Sequence, residues 1–69
     1  MGNLTLGESL FLEHSVLSDR IGGLRAYIVT EDFKSLSLEM QDLMSDQLAY
    51  MNEYSSCLLA RIKLLETNG

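Results

Sequence analysis

Apolar side chains recur along this chain at a helical rhythm that is interrupted once. Leu10, Leu17, Ile21, Leu24 and Ile28 follow one another at spacings of three, four or seven, with Glu13, Asp19, Arg20 and Arg25 off that stripe. This is the pattern of a helix with one buried face. Thr5-Leu6-Gly7-Glu8 supplies a start, a capping box in which the Thr5 hydroxyl accepts from the Glu8 amide and the Glu8 carboxylate reaches back to the Thr5 amide. The pattern predicts a first helix from about residue 6 to about residue 30.

The period breaks over Thr30-Glu31-Asp32-Phe33-Lys34-Ser35-Leu36-Ser37, a run rich in residues that cap or turn, so this is the single connection. Phe33 and Leu36 are expected to tuck under it and plug one end of the core. After Ser37, which suits an N-cap, Met40, Leu43, Met44, Leu48, Met51, Tyr54, Leu58, Ile62 and Leu65 carry the helical period onward. A second helix is predicted from about residue 37 to about residue 66, with Thr67, Asn68 and Gly69 frayed. At a rise of 1.5 Å per residue the two helices would be about 37 and 44 Å long, and a short connection makes them antiparallel neighbours. The expected fold is all-α, one domain over residues 1–69 built as a two-helix hairpin. Leu43, Tyr50, Cys57 and Leu64 widen the apolar arc of the second helix beyond what one partner helix covers. Hairpins assembling into a homo-oligomeric bundle or ring would cover it.

Size sharpens that expectation. A chain of 69 residues buries only about 60% of the surface its unfolded form exposes, and such domains usually rely on disulfides, metals or oligomerisation. Cys57 is the one cysteine, and with His14 it makes too small a ligand set for structural zinc. Oligomerisation is what remains, and no metal or cofactor is expected. The composition, 46% hydrophobic with no Pro and no Trp, argues against disorder. A net charge of −5 and a pI near 4.5 disfavour general nucleic-acid binding and attraction to an anionic membrane, while leaving room for a local basic pocket. No apolar run reaches membrane-spanning length and the first residues do not read as a signal peptide, so a soluble cytoplasmic protein with a reduced thiol is expected.

Few side chains offer chemistry. A heptad on the first helix puts Leu10, Leu17 and Leu24 on one seam row and His14, Ile21 and Ile28 on the other, so His14 is expected on the buried stripe. A packed core histidine is the simpler reading, a pH sensor or ligand contact the other. No paired carboxylates, matched serine and base, or second histidine accompany it, and the chain reads as a non-enzyme.

The adjacent glycines of Ser18-Asp19-Arg20-Ile21-Gly22-Gly23-Leu24-Arg25-Ala26-Tyr27 are the unusual feature. Each costs about 1 kcal/mol relative to Ala in a helix interior. Gly22 and Gly23 fall off the seam, on the side facing away from the second helix, where they open space toward solvent, another subunit or a ligand. Arg20 and Arg25 flank them and Tyr27 follows one turn on. Guanidinium pairs with phosphate oxygens and tyrosine stacks on a base, so these groups suit a nucleotide. The plainer alternative is a kinked helix whose arginines pair with Asp19 or with acids of the second helix. Arg61 is expected on the second helix's stripe, facing the first helix's start with Glu8 as its partner, or lining a pocket between subunits with Tyr54. The candidate ligand-binding set is thus Arg20, Gly22, Gly23, Arg25, Tyr27, Tyr54 and Arg61. Met40, Met44 and Met51 read as core filling. Glu39, Asp42, Asp46 and Glu53 read as a solvated side of the second helix, or as an acidic surface for a basic partner.

Phe33-Lys34-Ser35-Leu36, Met40-Gln41-Asp42-Leu43-Met44, Gln47-Leu48, Met51, Tyr54, Leu58 and Arg61-Ile62 form F-x-x-L followed by a Leu- and Met-rich helix ending Y-x-x-x-L-x-x-R-I. From about Leu17 to Leu65 this resembles a family of very small bacteriophage proteins of unassigned function; Thr5 to His14 lie outside the resemblance. The resemblance implies interference with a host process in the bacterial cytoplasm. Among small phage helical hairpins are sponges that hold cyclic nucleotide or ADP-ribose signals of bacterial immunity between subunits. On that reading the protein is a counter-defence binding protein whose partners are its own copies and a nucleotide-derived signal. Two alternatives stand beside it: an acidic inhibitor docking on a host or defence protein, and a small virion component. With a charge of −5 per chain, an anionic ligand would need an electropositive pocket built by two or more chains.

Overall fold

A computed structural model describes residues 5–68, with side chains through Glu66, and among these residues every regular element is helical. The elements are α1 (Leu6–Ile28), α2 (Glu31–Lys34) and α3 (Leu38–Asn68). Met1 and Gly69 lie outside the described residues, and α3 continues through Thr67 and Asn68 where fraying was expected.

The capping box is present: the Thr5 amide donates to Glu8 Oε1 at 2.9 Å, and the Glu8 amide donates to Thr5 Oγ1 at 3.1 Å. Glu8 also places a carboxylate in the first turn, where the helix dipole favours it. α1 stops at Ile28 because Thr30 has another task. Its hydroxyl donates to the Tyr27 carbonyl at 2.6 Å and accepts from the Phe33 amide at 3.2 Å, ending one helix while capping the next.

The connection is therefore a one-turn helix and not an open turn. Phe33 is buried and meets Tyr27 edge to face, with ring centroids 6.0 Å apart at 88°. Such aromatic pairs add roughly 0.5–1.5 kcal/mol beyond their burial. Leu36 is half-buried beside it. The Gln41 side-chain amide donates to the carbonyls of Lys34 at 3.2 Å and Leu36 at 2.9 Å, tying the end of α2 to the first turns of α3. Ser37 caps α3 by accepting from the Met40 amide at 3.1 Å.

α1 and α3 pack on each other along their lengths. A Cβ built on Gly7 would sit 4.0 Å from Leu65 Cδ1, while Arg25 reaches Asn52, so early positions of α1 meet late positions of α3. Leu10, Leu17, Ile21, Leu58 and Ile62 form the core cluster, with Leu48 and Met51 packed against it. Leu58 is fully enclosed. His14, expected within that stripe, is half-buried.

The core is narrow. The molecule exposes 5281 Å², whereas a folded monomer of its 7.7 kDa mass is expected to expose about 4,300 Å². Part of the surplus is the elongated shape, 48 × 26 × 15 Å. Large apolar side chains are among what is exposed: Leu43 is 59% and Tyr50 68% exposed, and Phe11 and Leu12 stand out from α1.

Leu58→Ala is expected to cost about 2–5 kcal/mol, the range for truncating an enclosed leucine, and Thr5→Ala about 1 kcal/mol, the usual loss for an N-cap. Chemical denaturation followed by circular dichroism measures both, and equal losses would contradict the core drawn here.

Candidate ligand-binding groove

Successive residues of an α-helix are about 100° apart, so the stripe Leu10, Leu17, Ile21, Leu24 fixes where every other α1 side chain goes. Glu13, Val16, Arg20, Gly23 and Tyr27 fall on one shoulder of that stripe. Arg25 falls on the other. Gly22 and Gly23 straddle the direction opposite α3, Gly23 nearer the first shoulder.

Between that shoulder and α3 lies an open groove of about 620 Å³, lined by Leu17, Arg20, Gly23, Leu24 and Tyr27 from α1 and by Met44, Gln47 and Met51 from α3. A second cleft of about 330 Å³ is lined by Glu13, Val16, Leu17, Arg20 and Tyr54. Leu17 and Arg20 border both. One guanidinium thus stands where two concavities meet, over a floor of Leu and Met side chains.

The structure brings together part of the candidate set. Arg20, Gly23 and Tyr27 share the larger groove, and Arg20 and Tyr54 share the smaller. Arg25 lies apart: its Nη2 donates to Asn52 Oδ1 at 3.5 Å on the opposite edge, so the two arginines do not meet around one concavity. Gly22 lines neither groove. Arg61 is exposed, on neither the buried stripe nor a groove, which corrects its expected place beside Glu8. Leu58 and Ile62 take the inward positions around it, and Glu8 is occupied by the Thr5 cap.

Two polar groove residues were missed, and both had a signal. Glu13 precedes Arg20 by seven residues and so shares its face; Gln47 precedes Tyr54 by the same interval. Gln47 offers an amide donor and acceptor opposite Arg20, and its Nε2 lies 3.8 Å from Met51 Sδ. Among the described residues Lys34 and Glu31 form the one ion pair within 4.0 Å, at 3.6 Å on the surface. The Arg20 guanidinium therefore has its donors available to an anion. The described residues hold no group of three or more potential metal ligands, and no helix among them is long and apolar enough to cross a membrane.

The glycines are not explained by the fold of the single chain. A Cβ built on Gly22 or on Gly23 meets nothing within 4 Å, and neither has a positive φ. Neither packing within the chain nor backbone conformation requires them.

The chain thus presents a shallow groove of mixed apolar and cationic lining. The chain belongs to the Sequestin family, whose model matches residues 7–64. The family's name denotes sequestration, a role of holding a partner. No curated protein and no solved structure matches the chain.

Replacing Gly22 and Gly23 by Ala together is expected to raise the melting temperature by several degrees, since each change gains up to about 1 kcal/mol of helix propensity. Thermal melts followed by circular dichroism test this. A fall would show that the pair packs closely against a surface that the single chain does not supply.

Proposed function

We propose that the protein is a counter-defence binding protein, phage-encoded, that assembles as a homo-oligomer of antiparallel helical hairpins and captures a nucleotide-derived immune signal without chemistry. The observation that carries this reading is Arg20 standing unpaired between two grooves, with Tyr27 and Gln47 on one side of it and Tyr54 on the other. A guanidinium pairs with phosphate oxygens through two parallel hydrogen bonds, tyrosine rings stack on bases, and a carboxamide can read a base edge. Membership of a family named for sequestration supports holding over turnover. Ligands of the cyclic oligonucleotide and cyclic ADP-ribose classes combine these features in a compact form.

Assembly belongs to the same reading. The grooves are open on the side away from the helix contact, and a second copy closing over them supplies the desolvation that makes phosphate recognition strong. It also gathers Arg20 side chains from several chains, which answers the charge of −5 carried by each.

Titration calorimetry with cyclic dinucleotides, cyclic trinucleotides and cyclic ADP-ribose isomers tests the ligand. At least one is expected to release heat at a fixed ratio to protein, and Arg20→Ala is expected to weaken it at least about tenfold, the equivalent of roughly 1.4 kcal/mol. Silence across the panel, from protein shown to be folded, overturns the ligand assignment.

A second reading rests on Glu39, Asp42, Asp46 and Glu53, all exposed along α3, as a docking face for a basic surface of a host protein. It predicts a stoichiometric protein complex that Glu39→Lys with Asp42→Lys dissolves while Arg20→Ala leaves it intact.

A further inference from the structure

α3 carries two heptad seams, and the chain itself uses only one. The inner seam, Met44, Leu48, Met51, Leu58 and Ile62, faces α1 and is buried or half-buried. About 100° around the helix lies a second run with the same alternation of three and four. One of its rows is Leu43, Tyr50, Cys57 and Leu64; the other is Met40, Gln47, Tyr54 and Arg61. All eight are exposed, including Met40 at 47% and Tyr54 at 45%. Sustained over more than three heptads, such spacing is that of a helix meeting another helix.

We infer that this outer seam is the contact with a second copy of the chain, α3 against α3 in antiparallel register with its two-fold axis at Asn52. The inference rests on the proposed self-association and not on the proposed ligand. Three observations select the occupant. The first is area: the exposed surface exceeds that expected of a monomer by roughly 950 Å², part of it owed to the elongated shape, against the ~800 Å² each partner buries in a standard interface. The second is charge. Before Asn52 α3 carries Glu39, Asp42 and Asp46 and no cation; after it come Arg61 on the seam, Lys63 on another face, and the acids Glu53 and Glu66. Antiparallel pairing brings the Arg61 end of one helix to the Glu39 to Asp46 end of the other, leaving only Glu53 near its own copy. A parallel pair in register would set Glu39, Asp46 and Glu53 each against itself.

The third is register. In an antiparallel pair the two rows alternate across the seam, so the layers are Met40 with Leu64, Leu43 with Arg61, Gln47 with Cys57, and Tyr50 with Tyr54. Each layer occurs twice, once on either side of the axis, as a two-fold contact requires. The central aromatic layers place a Tyr50 from the second copy beside Tyr54, at the mouth of the cleft that Glu13, Val16 and Arg20 line. The smaller groove is then finished by the neighbouring chain.

Cysteine cross-linking distinguishes the arrangements. Antiparallel pairing separates the two Cys57 residues by about 15 Å along the seam (10 residues at 1.5 Å), beyond disulfide reach, whereas parallel pairing sets them in one layer. The wild-type chain under mild oxidation is expected to give no rapid dimer. Gln47→Cys with Cys57 retained is expected to give a disulfide dimer with two bridges, and Gln47→Cys with Cys57→Ser only monomer on the gel. In parallel, Tyr50→Asp is expected to halve the mass found by sedimentation equilibrium while helicity is kept, since Tyr50 is 68% exposed in the single chain. Rapid Cys57 cross-linking in the wild type overturns the register. A wild-type oligomer that neither cross-links through residue 47 nor responds to Tyr50→Asp overturns the seam but leaves self-association standing, with another occupant such as the exposed Phe11 face of α1. A wild-type chain that is monomeric at micromolar concentration overturns the inference and the assembly reading together.

Discussion

One helix can hide only one stripe of another, and this limit governs the whole molecule. With two long helices in contact, the space between them accommodates a file of side chains from each: Leu10, Leu17 and Ile21 from α1, and Leu58 and Ile62 from α3. Everything at a larger angle remains in water, whatever its chemistry. Thus Leu58 is sealed while Leu59, the next residue, is 43% exposed. The same limit creates the grooves. Where side chains leave the contact line but the helices still lie side by side, a trough forms, and Leu17 and Arg20 on its lip belong to both the apolar floor and the solvent.

Much of this was legible because it depends on local rules. A Thr-x-x-Glu box, a Ser before an apolar run and a 3.6-residue period each specify a backbone state without reference to distant residues, and Thr5, Ser37 and the Leu58 stripe stand where those rules put them. Other features depend on rotation about the helix to within a fraction of a turn. Arg20 and Arg25 are five residues apart, far enough around the cylinder to face opposite edges, and their proximity in sequence concealed that. Arg61 was misplaced for a related reason. It adjoins Ile62, and one residue of displacement carries a side chain about 100° from the core. The double role of Thr30, closing α1 and opening α2, was hidden because cap-forming residues in a turn do not announce which helix they serve.

The glycine pair illustrates how an unsatisfied structural explanation becomes informative. Glycines in helices usually answer to close packing or to a backbone conformation that side chains reject. Neither applies: space surrounds both positions and φ is ordinary. Their cost in helix propensity is thus not offset by any contact within the chain, and the smooth, low surface they leave lies beside the larger groove. Family membership supplies the complementary fact that holding a partner is the family's named role.

The hydrogen bonds of the short α2 joint carry a consequence for how such a partner would be met. Thr30, Ser37 and the Gln41 amide between them engage the Tyr27, Lys34 and Leu36 carbonyls and the Phe33 and Met40 amides around the bend, and Phe33 is wedged against Tyr27 beneath it. The bend is held by contacts within the chain itself. Tyr27 is at once part of that wedge and part of the groove wall, so the ring on that wall is already held by the fold. A joint and a groove wall fixed in this way leave little conformational entropy to be lost if a partner docks there.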